Sequence, residues 1–473
     1  MTAALLTTTT ELPRVIGADL TVPLVDGSRV RYCDLDSAAS APALEPVAAH
    51  VAEVLPYHGS VHRGAGWTSR VCTALVEGAR ADLARFVRAR TDDCVVFTRN
   101  TTDALDLLAR AVPGPVVTLD LEHHATLLAW RHTEHRVVRA GRTIAATLDA
   151  LRAELAACPD AALVAVTGAS NVTGELLPVA RIVEIAHAAG ARVCVDAAQL
   201  APHRRVDLAG WDADYVALSG HKLYAPYGTG ALVGRRDWLD AAEPHLAGGG
   251  AARSVAVEDG RTATDWLPAP QRHEGGTPNV LGAAALGAAC RVLDGLVDDE
   301  VPAHERELAA RLHAGLAQVP GLRILSCFDG TCSDGTCSGD GADRTATTSF
   351  VLDDLPSGLV AAALSAEHGI GVRDGRFCAH PLLDRLTGGR DAVRASLGLR
   401  TTTDDVDRLV TALDRLVRRG PEWTYALVDG RWSPTPDPRP SDPFGPGSPG
   451  QELREEVQGA QSPKISRVCD TSV

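Results

Sequence analysis

The chain of 473 residues is poor in lysine. Its 46 basic residues include lysine only at Lys222 and Lys464, so arginine carries nearly all of the positive charge. Arginine can replace lysine in ion pairs, but it cannot lose its proton at neutral pH and attack a carbonyl group. A lysine kept in the middle of such a chain is therefore a candidate for covalent chemistry. We single out Lys222, because Lys464 lies in a polar tail.

Basic runs and long apolar runs are also missing. The formal net charge of −14 disfavours a polyanionic partner such as nucleic acid. No window approaches the roughly 20 apolar residues of a membrane span, and the N-terminal residues do not resemble an export signal. The 11 cysteines are odd in number and scattered, which fits a reduced compartment better than a disulfide framework. We predict a cytoplasmic protein that binds neither nucleic acid nor membranes.

The length indicates more than one domain. Between residues 92 and 235, short apolar runs alternate with helical stretches, which is typical of a parallel sheet covered by helices. Residues 301–432 have the pattern of a smaller α+β unit, and they contain a Cys- and Gly-rich insertion at 326–344. The Pro-rich segment 433–473 has no apolar pattern that would support a core, and we predict that it is disordered.

An acid and an amine follow neighbouring strands of this predicted sheet. Asp196 ends one strand in VDAAQ, and Lys222 follows the next strand in SGHK. Open parallel sheets bind ligands at these strand ends. A lysine can hold an aldehyde cofactor as a Schiff base, and a buried aspartate can keep a pyridine nitrogen protonated so that the ring accepts electrons. The pair therefore favours pyridoxal-phosphate chemistry over a loop lysine and a helix-capping aspartate.

Hydroxyl groups and a histidine follow two other strands. Thr101 and Thr102 lie at a strand-to-helix turn, where backbone N–H groups can bind phosphate, although threonine is also a common helix cap. His123 comes at the end of the next strand, where its ring could stack on a planar cofactor or serve as an ordinary capping or core histidine.

Together these segments resemble the fold-type I pyridoxal-phosphate enzymes of the class V aminotransferase group. Within that group the chain is most similar to the SUF-type (group II) cysteine desulfurases and selenocysteine lyases. The resemblance covers most of residues 30–412. The segments that carry it are LDSAAS (35–40), SVHRG (60–64), FTRNTTDA (97–104), EHHA (122–125), SNVTGELLPV (170–179), VDAAQ (195–199), SGHKLYAPYGTGAL (219–232), EGGTPN (274–279), RFCAHPL (376–382) and RASLGL (394–399).

The resemblance implies an α/β fold: a large domain with a mostly parallel seven-stranded sheet and a small α+β C-terminal domain. The expected boundaries are 1–34 for an N-terminal segment that packs on the small domain, 35–300 for the large cofactor-binding domain, 301–432 for the small domain and 433–473 for the disordered tail.

The resemblance also implies a role for individual residues. Lys222 would form the Schiff base with pyridoxal 5'-phosphate. The remaining cofactor contacts would be Asp196 to the pyridine nitrogen, Gln199 to the ring oxygen, His123 stacked on the ring, and Thr101, Thr102, Ser219 and His221 on the phosphate, with Thr277 supplied by the partner subunit of a homodimer. Arg394 would bind the substrate carboxylate, and Asn171 and His62 would lie near the substrate.

Cys378 follows a short Gly-containing loop that resembles the nucleophile loop of the group II enzymes. Flanking arginines would favour its reactive thiolate form. The family usually carries histidines just before this cysteine, whereas this chain has Arg376 and Phe377. We predict a desulfurase that acts on cysteine or a cysteine-like amino acid, stores sulfur on Cys378 and passes it to an acceptor protein. Two alternatives stay open: another class V enzyme (aminotransferase, epimerase or C–S lyase), in which Cys378 is incidental, and a catalytically silent scaffold.

The spacing of Cys327, Cys332 and Cys337 does not favour a metal site, because structural zinc prefers closer pairs and a fourth nearby ligand. We predict no metal, and a flexible insertion that has accumulated small residues. A sulfur-relay or redox role is a minor hypothesis.

Overall fold

The computed structural model describes residues 12–62, 64–329 and 343–440. The helices of these residues are α1 (Glu45–Val54), α2 (Trp67–Phe86), α3 (Thr101–Ala111), α4 (His124–Leu128), α5 (Ile144–Ala157), α6 (Val179–Ala188), α7 (Asp237–Ala241), α8 (Val280–Leu293), α9 (Glu300–Leu316), α10 (Ser357–His368), α11 (His380–Thr387) and α12 (Thr403–Arg419).

The strands of the large domain are β4 (Cys94–Thr98), β5 (Val116–Leu119), β6 (His135–Val138), β7 (Leu163–Thr167), β8 (Arg192–Asp196), β9 (Tyr215–Ser219), β10 (Gly230–Gly234), β11 (Ala252–Glu258) and β12 (Arg261–Trp266). Those of the terminal segments and the small domain are β1 (Thr21–Pro23), β2 (Arg29–Arg31), β3 (Cys33–Asp34), β13 (Leu322–Ile324), β14 (Thr347–Leu352), β15 (Ile370–Gly371), β16 (Arg373–Gly375), β17 (Ala392–Ser396), β18 (Tyr425–Val428) and β19 (Arg431–Pro434).

The sheet of the large domain has seven strands in the order β4-β10-β9-β8-β7-β5-β6. Strand β10 runs antiparallel to both of its neighbours, and the other pairs are parallel. Strands β7, β9 and β10 are buried along their whole length. Because helices cover both faces of a parallel sheet, both sides of these strands are buried, and their sequences are nearly continuous apolar runs. The predicted fold class is confirmed.

Close packing brings the start of α3 against this sheet. The Asn100 side chain caps α3 by accepting from the Asp103 N–H. A Cβ at Gly230 would lie 2.7 Å from the Asn100 Cα and 2.5 Å from the Leu218 carbonyl oxygen. A side chain on β10 at this point would push the helix away, so glycine is required for α3 to begin at the edge of the site.

The small domain is built on a four-stranded antiparallel sheet in the order β13-β14-β17-β16. Its apolar core is shared with α9, α10 and α12. The N-terminal strand β3 pairs in parallel with β15, so the segment before the large domain is joined to the small one. The N-terminus of helix α12 is capped by a capping box, in which the side chains of Thr402 and Asp405 each bond to the backbone N–H of the other.

The C-terminal region departs from the sequence-based expectation. Strands β18 and β19 form an antiparallel hairpin in which Ser433 pairs with Ala426 and Pro434 with Tyr425. The prediction of disorder from residue 433 onward is therefore wrong at its start. Cross-strand pairing in the hairpin satisfies backbone hydrogen bonds there, and the proline-rich composition gave no sign of this pairing. The remainder of that prediction, at 441–473, lies outside the described residues.

The Cys- and Gly-rich insertion is described only at its ends. The buried side chain of Glu175 accepts from the backbone N–H of Cys327 at 2.6 Å. The backbone of Glu175 forms an antiparallel β-bridge with Arg344. Both ends are therefore attached to the turn that follows β7. Cys332 and Cys337 lie outside the described residues.

Within the ranges that the structure covers, no helix combines the length and apolar character needed to cross a lipid bilayer.

Candidate active site

A cavity of about 440 Å³ lies between the carboxyl ends of the large-domain strands and the small-domain loop that follows β16. Most of the predicted site residues line it: Thr101, Thr102, His123, Asn171, Asp196, Gln199, Ser219, His221, Lys222, Cys378 and Arg394. Residues 101 and 394 are far apart in sequence, so the fold itself assembles the site.

Lys222 lies three residues beyond β9 and enters this cavity. Among the described residues its amine forms no hydrogen bond or ion pair. Burial lowers the pKa of Lys222 to about 8, and the charge of Arg394 adds to the effect, while Asp196 and Cys378 oppose it. The amine is mostly protonated at pH 7, but it releases its proton far more readily than an exposed lysine, and the unprotonated form is the one that attacks carbonyl groups.

Asp196 ends β8 and is 5% exposed. One carboxylate oxygen accepts from the Ala198 N–H at 2.9 Å, and the other accepts from the Thr126 hydroxyl at 3.1 Å. Burial raises the pKa of Asp196 from its ordinary value. These two donors hold the carboxylate in place. Sequence reasoning missed Thr126, although its position one helical turn after His123 places both residues on the same side of α4.

The phosphate-binding residues meet at the N-terminus of α3. The backbone N–H of Thr101 donates to the Ser219 hydroxyl at 2.8 Å, and the Thr101 hydroxyl lies 2.9 Å from the same oxygen. Thr102 and His221 line the cavity beside them, and burial lowers the pKa of His221. Hydroxyl groups at a helix N-terminus suit an anionic group.

His123 is the N-cap of α4, where its Nδ1 accepts from the Ala125 N–H at 3.0 Å. Burial lowers its pKa to about 4, so the imidazole is neutral at physiological pH. A neutral ring held by a backbone bond is suited to stacking. Gln199 is anchored in a different way, by donating to the Ala38 carbonyl at 2.8 Å.

Arg394 on β17 is 4% exposed. It donates to the Asn171 carbonyl at 2.9 Å and to Asp36 at 3.2 Å, and its guanidinium carbon lies 5.1 Å from the centre of the Phe377 ring. No role was predicted for Asp36. Phe377 was noted only as a departure from the family pattern, whereas its ring packs against the predicted substrate-binding arginine.

The loop that carries Cys378 has an unusual backbone. Phe377 and Cys378 are consecutive non-glycine residues with φ of 48° and 53°. Two bonds from the large domain hold this left-handed conformation: the Asn171 amide donates to the Phe377 carbonyl at 2.7 Å, and the His124 N–H donates to the Cys378 carbonyl at 2.8 Å. Strain of this kind is retained where the surroundings impose it, and it is common at active sites.

The cations near the thiol differ from those expected. Arg376 forms an ion pair with Asp384 and donates to the His380 carbonyl at 3.1 Å. Electrostatic interaction links Cys378 instead to Lys222 and Arg394, across the cavity. The expected effect of the flanking arginines on the thiol stays a prediction.

Two predicted residues do not reach the cavity of this chain. The His62 Nε2 atom lies 3.5 Å from a Glu77 carboxylate oxygen, and Thr277 is exposed. Thr277 was expected to serve the site of a second subunit, and His62 was expected near the substrate; both roles stay predictions. Among the described residues no group of three potential metal ligands is found, and the prediction for Cys332 and Cys337 lies outside those residues.

Comparisons with known proteins agree with this geometry. The model of the family described as Aminotransferase class-V matches residues 33–409. The chain belongs to this family. It is 37% identical over 408 residues to a cysteine desulfurase of Dickeya dadantii, an alignment that covers 83% of this chain and 93% of the relative. A probable cysteine desulfurase of Streptomyces coelicolor is 33% identical over 407 residues, with 83% and 93% of the two chains covered.

Solved structures give the same result. An apo structure of a cysteine desulfurase from Thermococcus onnurineus superposes with a TM-score of 0.74 at 28% identity, covering 86% of this chain and 100% of the other. The cysteine desulfurase CsdA of Escherichia coli, solved as the S-sulfonic acid, gives 0.70 at 31% identity, covering 82% and 95%. The predicted resemblance to the class V group and its cysteine desulfurases is confirmed.

Enzymes of this family depend on pyridoxal phosphate, and the cavity fits that cofactor. An amine without a bonding partner, a buried carboxylate and a helix N-terminus with two hydroxyl groups are the three features that an aldehyde, a pyridine nitrogen and a phosphate require. Lys222 would hold the aldehyde carbon, Asp196 the ring nitrogen, and Thr101, Thr102 and Ser219 the phosphate.

Proposed function

We propose that the chain is a cysteine desulfurase, which converts L-cysteine into L-alanine and keeps the sulfur as a persulfide on Cys378. The observation that carries this proposal is the position of the thiol. Cys378 lies at the cavity and is the exposed cysteine among the eight that the structure describes. The others are buried, and burial raises the pKa of Cys33 and Cys94 to about 12. Cys33 and Cys94 therefore stay protonated near neutral pH, and none of the seven buried thiols is accessible to a substrate.

Residues of both domains prepare the substrate. Arg394 offers a planar guanidinium for the substrate carboxylate, which orients the amino acid between Lys222 and Cys378. Pyridoxal phosphate, when bound, supplies an electron sink for negative charge at the substrate Cα. The amine of Lys222, when it is not bonded to the cofactor, would take the Cα proton. Its pKa of about 8 is close to the pH at which a general base has to work.

The small-domain residue carries out the sulfur step. The Cys378 thiolate attacks the substrate sulfur and forms a new S–S bond, while the bond between the substrate Cβ and its sulfur breaks. The carbon takes up a proton and leaves as alanine, and Cys378 carries the persulfide. No external oxidant is needed, because the two electrons of the broken bond stay with the carbon skeleton.

The test is incubation of the purified holoenzyme with L-cysteine and a thiol reductant, with alanine and sulfide measured together. We expect equal amounts of both. The variant Cys378→Ser should lose roughly a thousandfold or more in rate while the visible absorbance of the bound cofactor is retained. Cys158→Ser is the matched control, since Cys158 is buried outside the cavity.

Alanine formation that survives Cys378→Ser would contradict the desulfurase mechanism. It would favour the alternative that the sequence left open, another class V reaction in which this cysteine takes no part.

A homodimer is part of the proposal. The hairpin formed by β11 and β12 is exposed along most of its length, and Val255 and Val257 are 61% and 75% exposed. A two-stranded hairpin is marginal in water by itself, so a covering surface is required. A second copy of the chain would supply that surface and would bring the exposed Thr277 to the neighbouring phosphate site.

This assembly predicts that the double variant Val255→Glu, Val257→Glu is a monomer when its mass is measured by sedimentation. Leu427→Glu is the control, because Leu427 is 62% exposed on a different hairpin and should leave the dimer intact. A monomeric wild-type protein would contradict the assembly without affecting the assignment of Lys222 or Cys378.

The persulfide also requires a destination and a compartment. We propose a thiol-bearing acceptor protein, because the exposed Cys378 is accessible to a second thiol. All eight cysteines of the described residues are free, which supports a reducing cytoplasm.

A further inference from the structure

Asp36 lies behind the cavity and bonds two arginines. One of its carboxylate oxygens accepts from the Arg394 Nη2 atom at 3.2 Å, and the other lies 3.2 Å from the Arg373 Nε atom. Arg394 and Arg373 both line the cavity. One carboxylate therefore serves two guanidinium groups, which leaves the three side chains with a net charge of about +1.

The backbone fixes this carboxylate. The Leu35 N–H donates to the Gly371 carbonyl at 2.8 Å, and the Ser396 N–H donates to the Leu35 carbonyl at 2.7 Å. On the other side, Gln199 donates to the Ala38 carbonyl at 2.8 Å. The segment around Asp36 is thus held by both domains, and the carboxylate stays beside the arginines.

Other acids near the cavity point elsewhere. Arg373 and Asp374 are successive residues of β16, so their side chains leave opposite faces of the strand. Asp374 also lines the cavity, but a Cβ at Gly358, on α10, would lie 3.4 Å from one of its carboxylate oxygens, so its carboxylate faces α10 and not the arginine pair. Asp196 is bonded by Thr126 and Ala198. Among the described residues, Asp36 is the acid that pairs with these two arginines.

We propose that Asp36 is a specificity-determining residue. By bonding both Arg394 and Arg373, it limits the positive charge of the arginine pair to what one substrate carboxylate neutralises. The site then accepts amino acids with a single carboxylate and discriminates against those with a second anionic group. The inference rests on the proposed function, in which Arg394 binds the substrate carboxylate.

Two non-reacting probes test this selectivity in the holoenzyme: L-alanine with one carboxylate and L-aspartate with two. Their dissociation constants are measured from the change in visible absorbance on binding. In Asp36→Asn the ratio of the alanine constant to the aspartate constant should rise about tenfold, because the arginine pair gains one unit of positive charge. Asp36→Glu, which keeps the charge, should stay near the wild-type ratio.

Asp374→Asn is the control, since it removes the same charge one residue from Arg373 but on the other face of β16. Its ratio should stay within about twofold of wild type, because an exposed charge outside the pair is screened. Equal shifts in Asp36→Asn and Asp374→Asn would overturn the proposal in favour of a general field effect.

A second variant covers the case in which Asp36→Asn does not fold. Arg373 is about half exposed, so Arg373→Gln should fold, and by removing one positive charge it should lower the ratio. A wild-type enzyme that forms alanine from cysteine, combined with a ratio unmoved by Arg373→Gln, overturns this inference alone. A wild-type protein that forms no alanine overturns the proposed function, and this inference with it.

Discussion

The two walls of the cavity are built differently. The large-domain wall consists of strand ends, where Asp196 and Ser219 close adjacent strands of one sheet. The small-domain wall is a loop in which Phe377 and Cys378 adopt left-handed backbone conformations. Bonds from the opposite domain hold that loop, through Asn171 and His124. Cofactor chemistry therefore rests on the ends of sheet strands, and sulfur chemistry rests on a loop whose conformation depends on bonds from the other wall.

The largest expected effect breaks the large-domain wall. Lys222→Ala removes the amine that captures the cofactor, so activity should fall by about a thousandfold or more. Borohydride reduction should no longer fix the cofactor to the protein, which mass spectrometry of the digested chain measures. Lys222→Arg is the matched control that keeps the charge. It should be equally inactive, because a guanidinium stays protonated at neutral pH and does not form the Schiff base.

Covalent cofactor in Lys222→Arg, or labelling at another residue of the wild-type chain, would contradict the assignment of Lys222. Loss of Cys378 gives the opposite pattern, with the cofactor kept and sulfur transfer lost. The two variants together therefore separate the functions of the two walls.

A smaller effect is expected when the connection between the walls is cut. Asn171→Ala removes the amide that donates to the Phe377 carbonyl, but the backbone carbonyl of residue 171 still accepts from Arg394. Loss of one buried hydrogen bond costs about 1–3 kcal/mol, so alanine formation in a single turnover should slow by about tenfold or more. The visible absorbance of the cofactor should not change. A parallel loss of cofactor binding would show that the walls are not independent.

The difference between the walls also explains what the sequence could reveal. Lys222 and Asp196 were predictable because each follows a strand, and parallel strands place their carboxyl ends along one edge of the sheet. Lysine scarcity strengthened the first of these assignments. The roles of Asp36 and Phe377 were not predictable, since they depend on contacts with Arg394 and Asn171, which lie 358 and 206 residues away in sequence. Neither periodicity nor local spacing records such contacts.

The hairpin of β18 and β19 teaches the same lesson at the surface. Composition near residue 433 predicted disorder, but cross-strand bonds and the bond from the Trp423 indole to the Pro436 carbonyl at 2.8 Å decide the local structure. Proline is tolerated in such a two-stranded edge, because no third strand needs its missing N–H. Thr277 marks another limit, since its predicted role depends on a second copy of the chain.

The smallest expected effect concerns the free energy of unfolding, which the buried amine of Lys222 lowers. Burial lowers the pKa of Lys222 from 10.5 to about 8. Below pH 8 the folded and unfolded apoprotein both carry the proton, so the folded state bears the full cost of a buried ammonium group. Between about pH 8 and 10.5 the folded state releases the proton that the unfolded chain keeps, and stability therefore rises with pH. Relative to Lys222→Met, which has no such group, the wild-type apoprotein should gain about 3 kcal/mol of unfolding free energy over this window. Urea unfolding at a series of pH values measures the difference, and parallel curves for the two proteins would show that the amine is not buried.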